Sequence, residues 1–141
     1  MLSDNVTLAV GLSRADAALR RRLEGPLGGG HGIGFTDFQI LAELDSVQGA
    51  RLRASDLAGR LMLSPSGITR AVLPLEKIGL VERQAHERDA RGTYVVLTAA
   101  GKTRVDEAQA TVDRIVGETF AGLLTRTDRI ALLGLFERLS Y

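Results

Sequence analysis

A chain of 141 residues with 45% hydrophobic content is long enough for one core and too short for two, so a single domain is expected. It has no cysteine, which removes disulfides, thiolate metal sites and cysteine redox chemistry. The formal net charge is only +1 but unevenly spread: residues 51–92 hold eight basic and five acidic side chains, the rest ten and twelve, a polarity that suits one face against a phosphate backbone.

From Asn5 to about Glu24, apolar residues recur at helical spacing, and Gly25-Pro26 is expected to end this first helix. Its apolar run Leu8 to Leu12 is too short to span a membrane and follows Asp4 rather than a basic segment. Neither a signal peptide nor a membrane anchor is therefore expected, and the chain is placed in the cytoplasm. Leu27 to Gly34 contains five glycines and His31. With no strand before it and no GxGxxG spacing, it is expected to be a flexible connection rather than a phosphate cradle.

A second helix is expected from Phe35 to about Asp45, with Thr36 and Gln39 as a capping box and Phe35 stapled onto Ile40. Gly49 to Arg53 allows no more than a stub of strand. Ala54 to Leu61 forms a third helix with Leu57, Ala58 and Leu61 inward, and Arg53 offers its start no acceptor oxygen. After a tight turn, Ser64 caps a fourth helix with Pro65 at its first position, where the missing N–H costs nothing, and Gly79 closes it. Val81 to Arg83 and Tyr94 to Leu97 are short β-rich runs around a polar turn, hence a hairpin. Thr98 caps a long helix with apolar positions Val105, Ala108, Val112, Ile115, Phe120 and Leu123. Thr125 and Asp128 form a second capping box for a last helix carrying Ile130, Leu133, Leu135, Phe136 and Leu139.

The helix, tight turn, helix and hairpin between Ala54 and Leu97 have the layout of a DNA reader. A recognition helix enters the major groove N-terminus first, so short hydroxyls and backbone amides meet phosphate while a longer side chain reaches a base edge. Ser64, Ser66, Gly67, Thr69 and Arg70 supply those parts. In sequence terms Ser64 can equally be a plain cap and Arg70 a solvated charge.

The segment Leu63-Ser64-Pro65-Ser66 with Thr69-Arg70, then Leu75-Glu76-Lys77, Gly79-Leu80-Val81-Glu82-Arg83, Asp89-Ala90-Arg91 and Leu97-Thr98-Ala99-Ala100-Gly101 resembles the MarR (multiple antibiotic resistance regulator) family of dimeric winged-helix transcription factors. Order and spacing match over roughly Phe35 to Gly101. The resemblance implies a mainly α fold with a small β-hairpin wing, a winged helix-turn-helix with N- and C-terminal dimerisation helices. Residues 1–141 would form one such domain, with 1–34 and 99–141 as dimerisation helices and 35–98 as the winged lobe.

It further implies that Ser66, Thr69 and Arg70 lie on the major groove and that Arg91, held by Asp89, enters the minor groove. An arginine at a hairpin tip does suit the negative potential of a narrow minor groove, although an ordinary solvated turn has the same composition. Ser64, Gly67, Lys77 and Arg88 complete the expected DNA-binding set. Two positions depart from the family pattern. Pro74 falls inside the recognition helix, removes the bond to the Arg70 carbonyl and is expected to bend the helix near Arg70. Met62 stands where glycine is common, and is therefore expected to avoid the left-handed conformation.

Other chemistry finds little support. Gly101-Lys102-Thr103 resembles the end of a P-loop, but Val96 occupies the place of its first glycine. Only His31 and His86 are imidazoles, far apart and without clustered carboxylates, so no metal site is expected. No catalytic constellation stands out; no enzyme activity and no cofactor are expected. The expected function is a sequence-specific, ligand-responsive repressor that binds a pseudo-palindromic operator in double-stranded DNA as a homodimer. The alternative is a winged-helix interaction or architectural module without an operator. On the family's precedent a small aromatic ligand would enter a pocket near Phe35, Phe38, Leu41 and Val112. The terminal helices carry more apolar surface than a small winged domain covers, so Val6, Val10, Leu132, Leu133, Phe136 and Leu139 are expected to pair across a dimer interface.

Overall fold

The computed structural model describes residues 1–86 and 89–140, without the side chains of residues 86 and 89–91. Ser3 accepts the Val6 amide at 3.4 Å and opens helix α1, Asp4–His31. The helix does not stop at Gly25-Pro26. It continues through Gly28, Gly29 and Gly30 and ends where Gly32 turns left-handed at φ 66°, so only residues 32–34 remain of the expected flexible connection.

Tertiary contacts explain the difference. Leu23 and Leu27, one turn apart, are fully buried and each stabilises the segment by about 1.5–3 kcal/mol, which opposes a cost of about 3 kcal/mol for the proline and about 1 for each glycine. The end is also tied to α5 (Ala99–Phe120): His31 Nε2 and Thr111 Oγ1 share a 2.6 Å hydrogen bond, and Arg104 donates to the His31 carbonyl at 2.7 Å.

Helix α2, Phe35–Asp45, is capped differently from the expected Thr36 and Gln39 box. The Gly34 amide donates to Asp37 Oδ2 at 2.8 Å, and the Phe35 amide to Glu24 Oε1 at 3.2 Å. Phe35 is thus the first helical residue and not a staple ahead of the cap. Thr36 Oγ1 and Gln39 Oε1 instead accept from Arg20, at 3.0 and 3.3 Å, so a cation on α1 has drawn the two side chains away from the helix end.

A 3₁₀ turn at Gln48–Ala50 leads into β1, Arg51–Arg53, then α3, Ala54–Arg60. Helix α4, Pro65–Lys77, is followed by β2, Val81–His86, and β3, Asp89–Leu97, both longer than the runs expected from sequence. The strand order is β1-β3-β2, all antiparallel, with Leu52 opposite Val95 and Val81 opposite Leu97. Leu80, Val81, Val95 and Leu97 close one side of a core built from Leu23, Leu27, Leu41, Leu44, Leu57, Ile68, Val72 and Leu75.

Thr98 caps α5 by accepting the Gly101 amide at 3.0 Å, and donates to the Gly79 carbonyl at 2.6 Å. Gly101 is present for space: a Cβ there would fall on the Leu80 carbonyl oxygen and lie 2.6 Å from Leu97 Cδ1. The glycine of the Gly101-Lys102-Thr103 triplet thus serves helix–sheet packing. Helix α5 ends at Phe120, so Leu123 lies outside it, exposed beyond Gly122, whose φ is 75°. Helix α6, Arg126–Leu139, starts with the Thr125–Asp128 capping box, and the hydrogen bond from the Thr125 amide holds the Asp128 carboxyl below its usual range. None of its residues is buried.

Candidate nucleic-acid interface

The turn between α3 and α4 decides how the second helix is presented. Helix α3 ends at Arg60 with Leu61 as its C-cap, the Met62 amide donates to the Gly59 carbonyl (3.2 Å) and the Leu63 amide to the Ala58 carbonyl (2.9 Å). That pair of bonds places Met62 in the left-handed position, and its φ is indeed 55°. The expectation that Met62 would avoid this conformation is therefore wrong. The turn geometry imposes it whatever the residue, at a cost of about 1–2 kcal/mol for a side chain with a Cβ.

Helix α4 then begins with Ser64 Oγ accepting the Gly67 amide at 3.0 Å, with Ser66 Oγ 3.3 Å away. Its amphipathic pattern sets its orientation. Ile68, Val72 and Leu75 are buried, while Ser66, Arg70, Leu73 and Lys77, at spacings of four, three and four, form the exposed opposite face. Thr69 donates its hydroxyl to the Pro65 carbonyl at 3.0 Å, which leaves its oxygen as an acceptor and its methyl exposed. Pro74 lies on the exposed side, and the helix runs unbroken past it to Lys77, closing on Gly79 at φ 76°.

The cations of this lobe divide into two groups. Arg60 is paired with Glu43 at 3.0 Å. Arg83 is held by Glu76 through two bonds, Nε to Oε2 at 2.8 Å and Nη2 to Oε1 at 3.0 Å. Arg51 lies over the Tyr94 ring at 4.7 Å. Arg70 and Lys77, by contrast, are exposed and have no ion pair among the described residues. The charge surplus of residues 51–92 thus overstates what reaches a phosphate, since part of it is neutralised inside the lobe. A groove of about 560 Å³ separates α3 and α4 from the sheet, lined by Arg53, Ser55, Thr69, Arg83, Gly92 and Thr93.

Arg88 lies outside the described residues. Asp89 and Arg91 fall on the backbone of β3, and their side chains are outside the description. Of the expected ligand-pocket residues, Phe35 and Phe38 stack with centroids 6.2 Å apart, and Arg20 lies 5.3 Å over the Phe35 ring. Val112 is half-buried against the same core, and Leu41 is fully buried within it. A different cavity, of about 430 Å³, lies between α1, α5 and α6, lined by Leu12, Leu19, Val116, Phe120, Leu133 and Phe136 among others. The expected dimer residues Val6, Leu133, Phe136 and Leu139 are exposed, and Val10 and Leu132 half-exposed.

Sequence reasoning missed Arg20 and the Glu76–Arg83 pair. Asp16 and Arg20 carry the i, i+4 signature of a helix pair, and that pair forms at 3.2 Å. The reach of Arg20 to Thr36 and Gln39 has no local signal. Nor does a bond between residues on a helix and a strand.

The MarR family model matches residues 35–93, the span that holds this face, β1, β2 and the first part of β3. The chain belongs to the MarR family. As a member it is a winged-helix transcriptional regulator that binds DNA. AbsC, a MarR family transcriptional regulator from Streptomyces coelicolor, is 28% identical, covers 99% of this chain and 95% of its own, and superposes with a TM-score of 0.83. A MepR-like protein solved with pseudoligands is 31% identical, covers 99% and 95%, and gives 0.71. A second Streptomyces coelicolor MarR family regulator, solved in complex with DNA, shares the fold at 23% identity, covering 99% and 88%, with a TM-score of 0.86. No curated protein sequence matches the chain. Among the described residues, no helix is long and apolar enough to cross a membrane.

Proposed function

We propose that this MarR family chain is a cytoplasmic, non-enzymatic repressor that binds a pseudo-palindromic operator as a homodimer and is released by a small molecule. The observation that carries the DNA-reading part is the exposed face of α4. A serine cap and backbone amides lie at its N-terminus, followed by Arg70 and Lys77 with no partner among the described residues. A desolvated arginine aimed at a guanine edge gives base discrimination, while hydroxyls and amides at the helix start grip phosphate. Arg91, with Asp89 as its support, and Arg88 are the wing residues proposed for the minor groove. Residues 35–98 form the reading lobe, and 1–34 with 99–141 the dimerisation helices.

Dimerisation follows from exposed apolar side chains on α1 and α6, which one copy leaves in water. Control by a ligand is supported by the pseudoligand-bound relative. The aromatic pair Phe35 and Phe38 beside Arg20 suits a small aromatic acid, with Leu41 and Val112 behind it.

Selection of bound sequences from a random DNA pool tests the reading: an enriched inverted repeat, with half-sites about one DNA turn apart, is the expected result. Arg70→Ala then lowers affinity for that repeat by about 1–3 kcal/mol and relaxes the preference at one position per half-site. A pool that stays unenriched overturns the regulator reading. Thermal shift with a panel of aromatic acids tests the ligand, and no shift with any of them removes this kind of control.

A further inference from the structure

We infer that Arg83, although cationic and beside the DNA-reading helix, is a positioning residue: with Glu76 it sets the angle between α4 and the wing hairpin and does not bind phosphate. This rests on the DNA-binding reading above. The geometry is a fork. Two parallel N–H···O bonds, 2.8 and 3.0 Å long, join the guanidinium of β2 to the carboxylate in the last turn of α4. Such a bidentate pair fixes direction as well as distance, which a single lysine-type contact cannot do. Nε and Nη2 are both committed to Glu76, so phosphate binding along that edge would break the pair.

The placement gives the pair its leverage. Arg83 shares a strand face with Val81, which is fully buried, and its register partner Val95 is buried as well. The strand is therefore anchored by the core at Val81, and its next residue on that face is tied to the helix. Beyond Arg83 the ladder becomes irregular between Ala85 and His86, so the pair ties α4 to the regular part of the hairpin, ahead of the turn. Glu76 is also one residue from Lys77 and stands at the opposite end of α4 from Ser64. A change at the pair thus alters where the wing arrives relative to Arg70. The hydrogen bonds from Arg83 hold the Glu76 carboxyl below its usual range, so the fork stays charged at neutral pH.

The experiment uses the full chain and the inverted repeat selected from the random pool. Arg83→Ala and Glu76→Ala are each expected to weaken binding by about two- to fivefold, with the double variant no worse than either. The slope of log affinity against log salt stays at the wild-type value. Hydroxyl-radical protection is lost at the flanks, in the minor groove proposed for the wing, and kept at the centre of each half-site. A phosphate contact predicts the opposite signs: Arg83→Ala lowers the slope by about 0.9 per contact, and Glu76→Ala, which removes a negative charge, tightens binding. Either result overturns the inference, as does a footprint unchanged in every variant. Arg83→Lys guards against misfolding because it keeps the charge and loses the fork. It should give the flank-deficient footprint, and wild-type behaviour would refute the positioning role.

Discussion

The winged lobe and the terminal helices of this chain solve the burial problem in different ways. In the lobe, apolar residues of α2, α3, α4 and the sheet meet one another, the end of α1 and the inner side of α5 (Val105, Ala108, Ile115), so the core closes within one copy. Helix α6 has no buried residue, and Leu12, Ile130, Leu133, Phe136 and Leu139 stay largely in water. A helix of 14 residues is marginal on its own in water, because its stability comes mainly from packing of an apolar face. That core therefore needs no second copy to close. Helix α6 and the exposed start of α1 are complete only against another surface, and the proposed second copy is that surface.

The largest expected effect tests this contrast directly. Leu133→Asp with Phe136→Asp should turn a dimer into a monomer by light scattering and lower affinity for an inverted repeat about a hundredfold or more, since the second half-site no longer binds intramolecularly. The lobe's near-ultraviolet signal and its melting should persist. If the double variant remains dimeric, α6 is not the completing surface.

Next comes Gly101→Ala, which strikes the junction where α5 leaves the lobe. Its methyl would collide with the Leu80 carbonyl and the Leu97 side chain. A cost of about 3 kcal/mol, read as lost stability in denaturant titration, is expected for overpacking against backbone. A neutral outcome would mean that the helix start can shift, and that the junction is looser than the lobe.

Two smaller effects run in the stabilising direction. Gly29→Ala adds a methyl that meets nothing, so the melting temperature should rise by the equivalent of about 1 kcal/mol. A loss instead would show that the end of α1 is not held as a helix in solution. Met62→Gly relieves a left-handed side chain and should gain about 0.5–1 kcal/mol, net of the larger entropy of the unfolded glycine. If stability is unchanged, the Met62 side chain, exposed in this structure, contributes contacts that offset its strain.

Local devices were legible wherever a residue satisfies its own neighbours. Ser64, Thr98 and the Thr125–Asp128 box cap their helices, and Gly79 ends α4, because capping is a contact over three or four residues. The exposure of Ser66, Thr69 and Arg70 follows from where they fall on α4, but its buried side, Ile68, Val72 and Leu75, came from the structure. Reading failed where a distant group competed. Gly25-Pro26 and three further glycines announce a stop, yet the burial of Leu23 and Leu27 and the ties of His31 to Thr111 and Arg104 carry α1 onward. Thr36 and Gln39 have the spacing of a capping box, yet Arg20 takes both.

By itself, then, the order of residues determined the kind and sequence of the elements and the serine cap at the start of α4, since each depends on periodicity or on bonds to near neighbours. Only the tertiary structure decided which arginines are paired. Arg60, Arg70 and Arg83 are alike in sequence, but among the described residues two of them find carboxylates on other elements and one does not. Pairing is a matter of distance in space, which sequence separation does not encode.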